Sequence, residues 1–426
     1  MTKKLILVVI DGLTSDAFEA TVERRSSPTL AALAEAGSYA RAVSTFPSLT
    51  PVCLASLATG GGPDVHHIPH LVWYHRGEGR IVEYGSSFGA MRAAGTRRVI
   101  KDAIVEMNAE HLASDAITVY EALEDTGFVT AAVNVPCYRG RTRHVATVPG
   151  VVRPVNGPLR FFYYNLFASD VTGAPLAVRG RAVGSVDAYA AAVGRWLVTR
   201  DGFDFLFFYL PDYDFASHAL GPAGAEEALA RSDRAVGALV DAAGGLDTFL
   251  ERYDVVLCSD HGQTHVERAV RLQDVVGEPG AIVTASNRAG MVYLDGDVRP
   301  VAERLARSEG IGVALFREDD ASYALRGEEL VELAPGDGGW RSRAWHALAN
   351  PNAGEVIVSA APGVEFMDLG GRHHVGGGSH GSLDDGDSLV PMLVVGDASP
   401  PPSITAVAPL VLEHFGVEAP AYARAA

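Results

Sequence analysis

Six carboxylate and imidazole side chains follow apolar runs or lie in a glycine-rich loop of this sequence: Asp11, Asp214, His218, Asp260, His261 and His380. Carboxylates and imidazoles are the ligands that zinc and its neighbours in the transition series use in proteins. Six ligands are enough for two divalent ions, and Thr50 offers a hydroxyl that can lie between them. These residue types predict a two-metal site for the hydrolysis of phosphate esters.

Spacing supports two of the ligand pairs. Asp214 and His218 are four residues apart and would share one face of a helix, whereas Asp212 lacks this spacing. Asp260 and His261 are adjacent, so both can reach one ion only at the end of a strand, where the backbone turns. Alternatives remain for single residues, because Asp11 can cap a helix and His380 can lie in a solvated loop.

Thr50 is the predicted nucleophile. A threonine hydroxyl is poorly acidic and needs a base or a metal to activate it. The alternative role is that of N-cap for the helix that follows, with Pro51 in its first position. The two roles are compatible, because a helix N-terminus directs backbone N–H groups towards a phosphate. Rival hydroxyls lie close by in the sequence: Ser44, Thr45 and Ser48.

Short apolar runs alternate with helical patterns along the chain. The runs that predict buried strands are residues 5–10, 129–135, 203–210, 253–259 and 389–395. Helices are predicted from Ser27-Pro28 to Gly37 and at residues 117–126, 183–199, 224–243 and 404–414. This alternation predicts a mostly parallel sheet with helices on both faces. Ligands bind outside the carboxyl ends of such strands, where Asp11, Asp214 and Asp260 fall.

Two stretches interrupt this alternation. Residues 62–115 are rich in His, Gly and Arg and are predicted to form an insertion. Residues 262–380 contain short strands and many turn residues, which predicts a smaller α+β cap that contributes His380. The core would then consist of residues 1–261 together with residues 381–426.

Composition excludes several classes of protein. A chain of 426 residues with 48% hydrophobic content can bury a large core, and a net charge of −17 disfavours nucleic-acid binding. Three dispersed cysteines provide neither a disulfide framework nor a thiolate zinc site. We find no apolar run long enough to span a membrane, and the first run lacks a signal-peptide cleavage site. A cytoplasmic protein without a membrane or nucleic-acid partner is expected, and its oligomeric state is left open.

Five short motifs in a fixed order resemble one known family: IDG, FPSLTPVCLASLATG, PDYDFASHALGP, SDHGQ and SHGS. They are similar to the type I phosphodiesterase and nucleotide pyrophosphatase branch of the alkaline phosphatase superfamily. The resemblance extends from residue 5 to the final strand and helix. It implies an α/β three-layer sandwich, with a central mostly parallel sheet flanked by helices and a smaller cap. It also implies hydrolysis of phosphodiester or pyrophosphate bonds through a threonine nucleophile.

The resemblance also implies how the ligands divide. One zinc ion would be bound by Asp214, His218 and His380. The second would be bound by Asp11, Asp260 and His261, with Thr50 joining them. Such sites accept Zn²⁺ or Mn²⁺. Phosphonate C–P hydrolysis or phosphomonoester hydrolysis at the same site is the alternative activity, and a non-catalytic metal-binding protein is a third possibility. The substrate is expected to be a small phosphate ester or phosphonate.

One position departs from the pattern of the family. The resemblance implies an Asn three residues after the nucleophile, with an amide that donates to a phosphoryl oxygen. Cys53 stands there, and a thiol is a weak donor. Residues that can replace this donor are Asn134, Arg139, Arg141 and Arg143. The clustered histidines can also line the pocket or lie at the surface: His66, His67 and His70.

Overall fold

The computed structural model describes residues 3–147, 150, 152–169, 185–336 and 339–424. Within these residues a central sheet of eight strands lies between two layers of helices. Its strands lie in the spatial order β2 (Ser38–Val43), β22 (Leu389–Val395), β11 (Tyr253–Cys258), β1 (Lys4–Ile10), β10 (Phe205–Leu210), β5 (Thr130–Val133), β8 (Arg160–Tyr163) and β9 (Phe167–Ser169).

The sheet is mostly parallel, as the sequence predicts. Five adjacent strands are parallel to one another: β11, β1, β10, β5 and β8. Strand β22 pairs antiparallel with β11 and β2, and β9 pairs antiparallel with β8. Alternate residues of β1 enter two separate cores, Leu5 and Leu7 on one face and Ile6 and Val8 on the other. Burial on both faces explains why the strand is a continuous apolar run.

Helices cover both faces of this sheet. On the face of Leu5 lie α3 (Thr50–Thr59), α7 (Val119–Asp125) and α16 (Val407–His414). On the opposite face lie α1 (Ser15–Arg24), α2 (Pro28–Ala36), α8 (Val186–Thr199), α10 (Glu226–Ala243) and α11 (Leu246–Arg252). The predicted helices are confirmed, although residues 183 and 184 of one of them lie outside the described residues. Ser27 is the N-cap of α2, but its hydroxyl contacts Thr21 instead of a helix N–H.

A second sheet, entirely antiparallel, lies later in the described chain. Its six strands have the order β14 (Ile282–Ser286), β15 (Ala289–Tyr293), β19 (Val356–Ala360), β16 (Ile311–Glu318), β17 (Ala321–Arg326) and β18 (Glu329–Leu333). Two helices, α12 (Leu272–Val276) and α13 (Arg299–Ala306), pack on one face, and α14 (Trp340–Ala349) packs on the other. The cap boundaries at residues 262 and 380 stay a prediction, and residues 337 and 338 lie outside the described residues.

Shorter elements connect these layers. The segment predicted as an insertion contains α4 (Pro63–His66), β3 (Val72–His75), β4 (Arg80–Glu83), α5 (Phe88–Ala94), α6 (Thr96–Lys101) and a π-helix, Asp102–His111. The others are β6 (Thr142–His144), β7 (Val155–Gly157), α9 (Asp212–Leu220), β12 (Thr264–His265), β13 (Arg268–Val270), β20 (Val364–Phe366), β21 (Gly378–Ser379), α15 (Asp385–Ser388), α17 (Ala421–Arg424) and the 3₁₀ turns Pro222–Gly224 and Ile404–Ala406. None of the described helices is both long enough and apolar enough to span a membrane.

Candidate active site

Three neighbouring strands deliver the predicted carboxylates to one edge of the central sheet. Asp11 follows β1 directly, and Asp214 lies in the first turn of α9, which starts just after β10. Asp260 lies two residues beyond the end of β11. Parallel pairing of Ile10 with Leu210 and of Val9 with Cys258 brings these three strand ends level. The carboxylates therefore meet at the carboxyl edge of the sheet.

Two compact groups of potential ligands form at this edge. In one, the ligand atoms of Asp11, Asp260 and His261 lie within 4.8 Å of one another, and in the other those of Asp214, His261 and His380 do. His261 Nε2 lies 3.3 Å from Asp11 Oδ1 and 3.5 Å from Asp260 Oδ2. All five side chains are buried. His261 belongs to both groups and connects them.

His218 lies beside these groups. It follows Asp214 by one helical turn on α9, and its Nε2 is 3.4 Å from Asp214 Oδ2. It belongs to neither compact group. The other predicted candidate, Asp212, faces away, because its Oδ1 accepts a hydrogen bond of 3.1 Å from Val186 N. The four-residue spacing therefore selects the aspartate that lies at the sheet edge.

The three imidazoles are oriented in the same way. Nδ1 of His218, His261 and His380 lies 2.8, 3.0 and 2.8 Å, respectively, from a backbone carbonyl oxygen. A carbonyl only accepts, so each Nδ1 donates and each Nε2 keeps a lone pair. Nε2 is also the atom that faces Asp214 or Asp11 in every case. This pattern fixes the tautomer that metal binding requires.

Two of the carboxylates, those of Asp11 and Asp260, each retain an oxygen available for a cation. Asp260 Oδ1 accepts from Gly12 N and His261 N, and Asp11 Oδ2 accepts from Tyr209 Oη. Asp260 Oδ2 and Asp11 Oδ1 are buried without a hydrogen-bond partner in the described part of the chain. A buried carboxylate oxygen without a donor is costly unless a cation compensates it. The donor set, of carboxylate oxygens and imidazole nitrogens, fits divalent transition metals.

Charge at the edge is also unbalanced. Burial, followed by repulsion from Asp260 and Asp214, raises the pKa of Asp11 well above its usual value. Burial also raises the pKa of Asp260. For Asp214 burial acts in the same direction, but attraction to His218 and the other two imidazoles outweighs it and lowers the pKa. Among the described residues no Lys or Arg pairs with these carboxylates, so a bound cation would balance their charge.

Thr50 opens helix α3 and faces this centre. Its Oγ1 lies 3.2 Å from His261 Nε2, and since that nitrogen is an acceptor, the hydroxyl donates to it. The alternative role as N-cap is wrong, because Leu49 holds that position and no side chain caps the helix. Thr50 is therefore the first helical residue, at the positive end of the helix dipole.

The rival hydroxyls contact other groups. Ser44 donates to the carbonyl oxygen of Asp260, at 2.5 Å, and Ser48 donates to that of Ser382, at 3.0 Å. Thr45 donates to Cys53 Sγ at 3.5 Å. Of the four hydroxyls, that of Thr50 is the one directed at a predicted ligand side chain.

Cys53 and Asn134, the two predicted substrate contacts, differ in what they can donate. Cys53 is buried beside Ser44 Oγ, at 3.3 Å, and burial raises the pKa of its thiol. Asn134 follows β5 with a left-handed backbone, φ +60°, and its Oδ1 accepts from Tyr164 N at 3.2 Å. Its Nδ2 is buried and has no hydrogen-bond partner within the described residues. Asn134 thus keeps a free donor.

The other predicted pocket residues have structural contacts. Arg139 donates to Glu121 and to three backbone carbonyls, Arg141 pairs with Glu121 and Asp125, and Arg143 is exposed. These contacts join α7 to the loop after β5.

The clustered histidines also have contacts of their own. Buried His66 contacts Ser56, at 3.2 Å, and buried His70 accepts a hydrogen bond from Val72 N. His67 lines a separate cavity of 600 Å³. The contacts do not support a role for these residues at the carboxylate edge.

Sequence reasoning missed three side chains at this edge. Tyr209 and Gln263 donate to Asp11 and Asp214, respectively. Asn287 Nδ2 lies 2.9 Å from His380 Nε2. Gln263 ends the SDHGQ motif, so the sequence carries a signal for it. Asn287 lies in a turn between strands of the second sheet and had no recognisable signal.

The fold is that of an α/β three-layer protein with buried carboxylates and imidazoles at the carboxyl edge of its central sheet. The chain matches the model of the type I phosphodiesterase / nucleotide pyrophosphatase family over residues 5–383, and it belongs to that family. It is therefore a hydrolytic enzyme of the alkaline phosphatase superfamily, and the family indicates hydrolysis of phosphodiester or pyrophosphate bonds. A search of curated proteins found no significant match.

Solved structures share this fold over nearly their whole length. Phosphonoacetate hydrolase from Sinorhizobium meliloti 1021, in complex with phosphonoformate, is 18% identical, with a TM-score of 0.66 and coverage of 97% of this chain and 96% of that one. Human ectonucleotide pyrophosphatase / phosphodiesterase 5 is 15% identical, with a TM-score of 0.67 and coverage of 98% and 96%. An inactive form of the murine protein, in complex with AMP, is 14% identical, with a TM-score of 0.65 and the same coverage.

Proposed function

We propose that this enzyme hydrolyses phosphodiester or pyrophosphate bonds of small molecules by attack of Thr50 at a centre with two divalent metal ions. The observation that supports this most directly is the position of the Thr50 hydroxyl, whose oxygen lies 3.2 Å from Nε2 of His261. His261 is the imidazole that belongs to both ligand groups. Zn²⁺ is the preferred ion and Mn²⁺ also fits these ligands. A cytoplasmic location stays a prediction. The three cysteines are unpaired, which is consistent with it.

Each ion would have its own set of ligands. Asp214, His218 and His380 would hold one ion, and Asp11, Asp260 and His261 would hold the other together with Thr50. The lone pairs on Nε2 of the imidazoles support both sets. The unpartnered oxygens of Asp11 and Asp260 support the second set. Bound there, the ions supply positive charge that stabilises an alkoxide and a phosphoryl oxygen.

The reaction would proceed in two displacements. Thr50 Oγ1 loses its proton and forms a bond to phosphorus, while the bond to the leaving-group oxygen breaks and that oxygen takes up a proton. Water then attacks the phosphothreonine, releases a phosphate monoester and restores the hydroxyl. The positive end of the α3 dipole stabilises the negative charge that develops at Thr50. Asn134 Nδ2 would donate to the substrate, a contact for which the thiol of Cys53 is too weak a donor.

Charge favours a diester over a monoester. The groups that act most strongly on the three carboxylates are one another and the imidazoles. A phosphate diester has one negative charge, whereas a monoester has close to two at neutral pH. Two divalent ions would exceed the charge of the three carboxylates by one, which matches the single negative charge of a diester and not the charge of a monoester. Phosphonate hydrolysis is the second candidate, because a phosphonoacetate hydrolase shares the fold.

The test compares three substrates with zinc-loaded and manganese-loaded protein: bis(p-nitrophenyl) phosphate, p-nitrophenyl phosphate and phosphonoacetate. We expect turnover of the diester to exceed that of the monoester, and chelation to abolish it. Thr50→Ala should lower kcat by at least about a thousandfold. Thr45→Ala is the matched control, since its hydroxyl contacts Cys53, and it should retain most activity. A preference for phosphonoacetate, or full activity in Thr50→Ala, would contradict the proposal.

A further inference from the structure

Asn287 belongs to the second sheet, and its side chain reaches His380 at the carboxylate edge. Ser286 pairs with Ala289, so Asn287 and Arg288 form a two-residue turn between β14 and β15. Asn287 has a left-handed backbone, φ +57°, which Asn tolerates better than most residues. Arg288 N donates to the carbonyl oxygen of His380 at 2.8 Å, which holds the turn against the loop that bears this imidazole.

The side chain of Asn287 contacts the nitrogen that a metal would use. His380 Nδ1 donates to the carbonyl oxygen of Ser48, so His380 Nε2 is the acceptor and the Asn287 amide donates to it over 2.9 Å. The same Nε2 lies 3.8 Å from Asp214 Oδ1. Ser286 Oγ donates to Asn287 Oδ1 at 2.8 Å, which fixes the amide with its NH₂ group towards His380.

A bound ion would change the partner of this amide. The lone pair of His380 Nε2 cannot bind a metal and accept a hydrogen bond at the same time. Asn287 is buried, with 6% of its surface exposed, so its N–H group would need a new acceptor close to the ion. A phosphoryl oxygen of a substrate held by that ion would supply the acceptor.

We infer that Asn287 binds a non-bridging phosphoryl oxygen of the substrate, in addition to the contact that Asn134 would make. This inference rests on the proposed function, because it requires a metal at His380. The amide of Asn287 belongs to the second sheet, whereas Thr50 belongs to helix α3, which packs on the central sheet. A correctly docked second sheet is then a condition for stabilising the transition state.

Asn287→Gly tests this inference, since glycine keeps the left-handed turn and removes the amide. Its matched control is Asp319→Gly, because Asp319 also begins a two-residue turn of the same sheet, with φ +52°, and is exposed. Asn287→Asp is a second variant that keeps the size of the side chain and removes the donor. Thermal unfolding and metal analysis of all the variants establish that each one folds and binds two zinc ions per chain.

Two readouts decide the outcome. The affinity of the zinc-loaded protein for orthophosphate, measured by calorimetry, should fall about tenfold in both Asn287 variants and stay unchanged in Asp319→Gly. Turnover of bis(p-nitrophenyl) phosphate should fall by about a hundredfold in kcat. Wild-type phosphate affinity in Asn287→Gly, or loss of zinc from it, would overturn the inference. If the wild-type enzyme bound orthophosphate but hydrolysed no ester, the proposed function would fail, while the affinity ratio would still decide the role of Asn287.

Discussion

The rings of His261 and His380 lie face to face, with centroids 3.6 Å apart and planes inclined by 9°. His261 follows β11 of the central sheet, whereas His380 follows β21, after the whole second sheet has been completed. Backbone carbonyls of Gly262 and Ser48 hold their Nδ1 atoms. The stacked pair therefore joins the two ligand groups, and its geometry depends on backbone positions that are distant in the sequence.

Gly12 is predicted to be essential for the position of Asp214. It has φ +69°, and a Cβ atom there would lie 2.8 Å from Asp214 Oδ1 and 3.0 Å from Gln263 Nε2. Gly12→Ala should displace the carboxylate, lower the number of bound zinc ions and reduce diesterase turnover by about a hundredfold. Metal analysis and kinetics on the purified variant measure both effects.

Gly79→Ala is the control for Gly12→Ala. Gly79 has a similar φ of +62°, but a Cβ atom there would meet only Tyr74 Oη, at 3.9 Å. The backbone strain should be alike in the two variants, about 1 to 2 kcal/mol, while zinc content and turnover of the control stay normal. An equal loss of activity in both variants would show that strain, and not the contact with Asp214, is responsible.

Arg288 is predicted to stabilise the loop that follows His380. It is fully buried and donates to Asp387 at 2.8 Å, to Asp384 at 2.6 Å and to two backbone carbonyls. Arg288→Met would leave the carboxylate of Asp387 buried without its cation. We expect the free energy of unfolding, measured with urea, to fall by about 3 to 5 kcal/mol.

An exposed ion pair provides the comparison for Arg288. Arg268 pairs with Glu309 on the surface, with 44% and 83% of their side chains accessible. Arg268→Met should cost less than about 1 kcal/mol. If the two methionine variants were equally stable, other contacts would have to hold the loop at Asp384 and Asp387.

His66 and His70 are predicted to make stability depend on pH. Burial lowers the pKa of His66 to about 3 and that of His70 to about 4, from an ordinary value of 6.5. Between about pH 6.5 and pH 4 the unfolded chain binds protons that the folded chain does not. Each histidine should therefore lower the free energy of unfolding as pH falls, by up to about 1.4 kcal/mol per pH unit.

His70→Asn isolates one of these contributions. The Asn carbonyl can accept from Val72 N, as His70 Nδ1 does at 3.0 Å, but it does not titrate. Urea unfolding at pH 7, 6 and 5, in the same metal state, should give a shallower decline for the variant. An identical slope for both proteins would mean that His70 is already protonated in the folded state or does not contribute.

Local patterns in the sequence determined the strands that build the site. The runs that end near Asp11, Asp214 and Asp260 are apolar on both faces, because buried parallel strands leave no polar face. Their carboxylates had to meet at one edge, since parallel strands in a covered sheet end on the same side. The start of α3 near Thr50 was predictable from Pro51. Edge strand β2 was not predicted, because its residues are mostly half exposed and mix small and polar types.

Tertiary structure alone decided which side chains share a contact. Neither periodicity nor spacing could show that His261 belongs to both ligand groups, that His218 lies outside them, or that Asn287 reaches His380 from another sheet. These relationships join segments that are far apart in the sequence, and they depend on how two sheets pack together. Local sequence encodes the elements and their ends, whereas the distances between side chains of different elements arise only when those elements are packed.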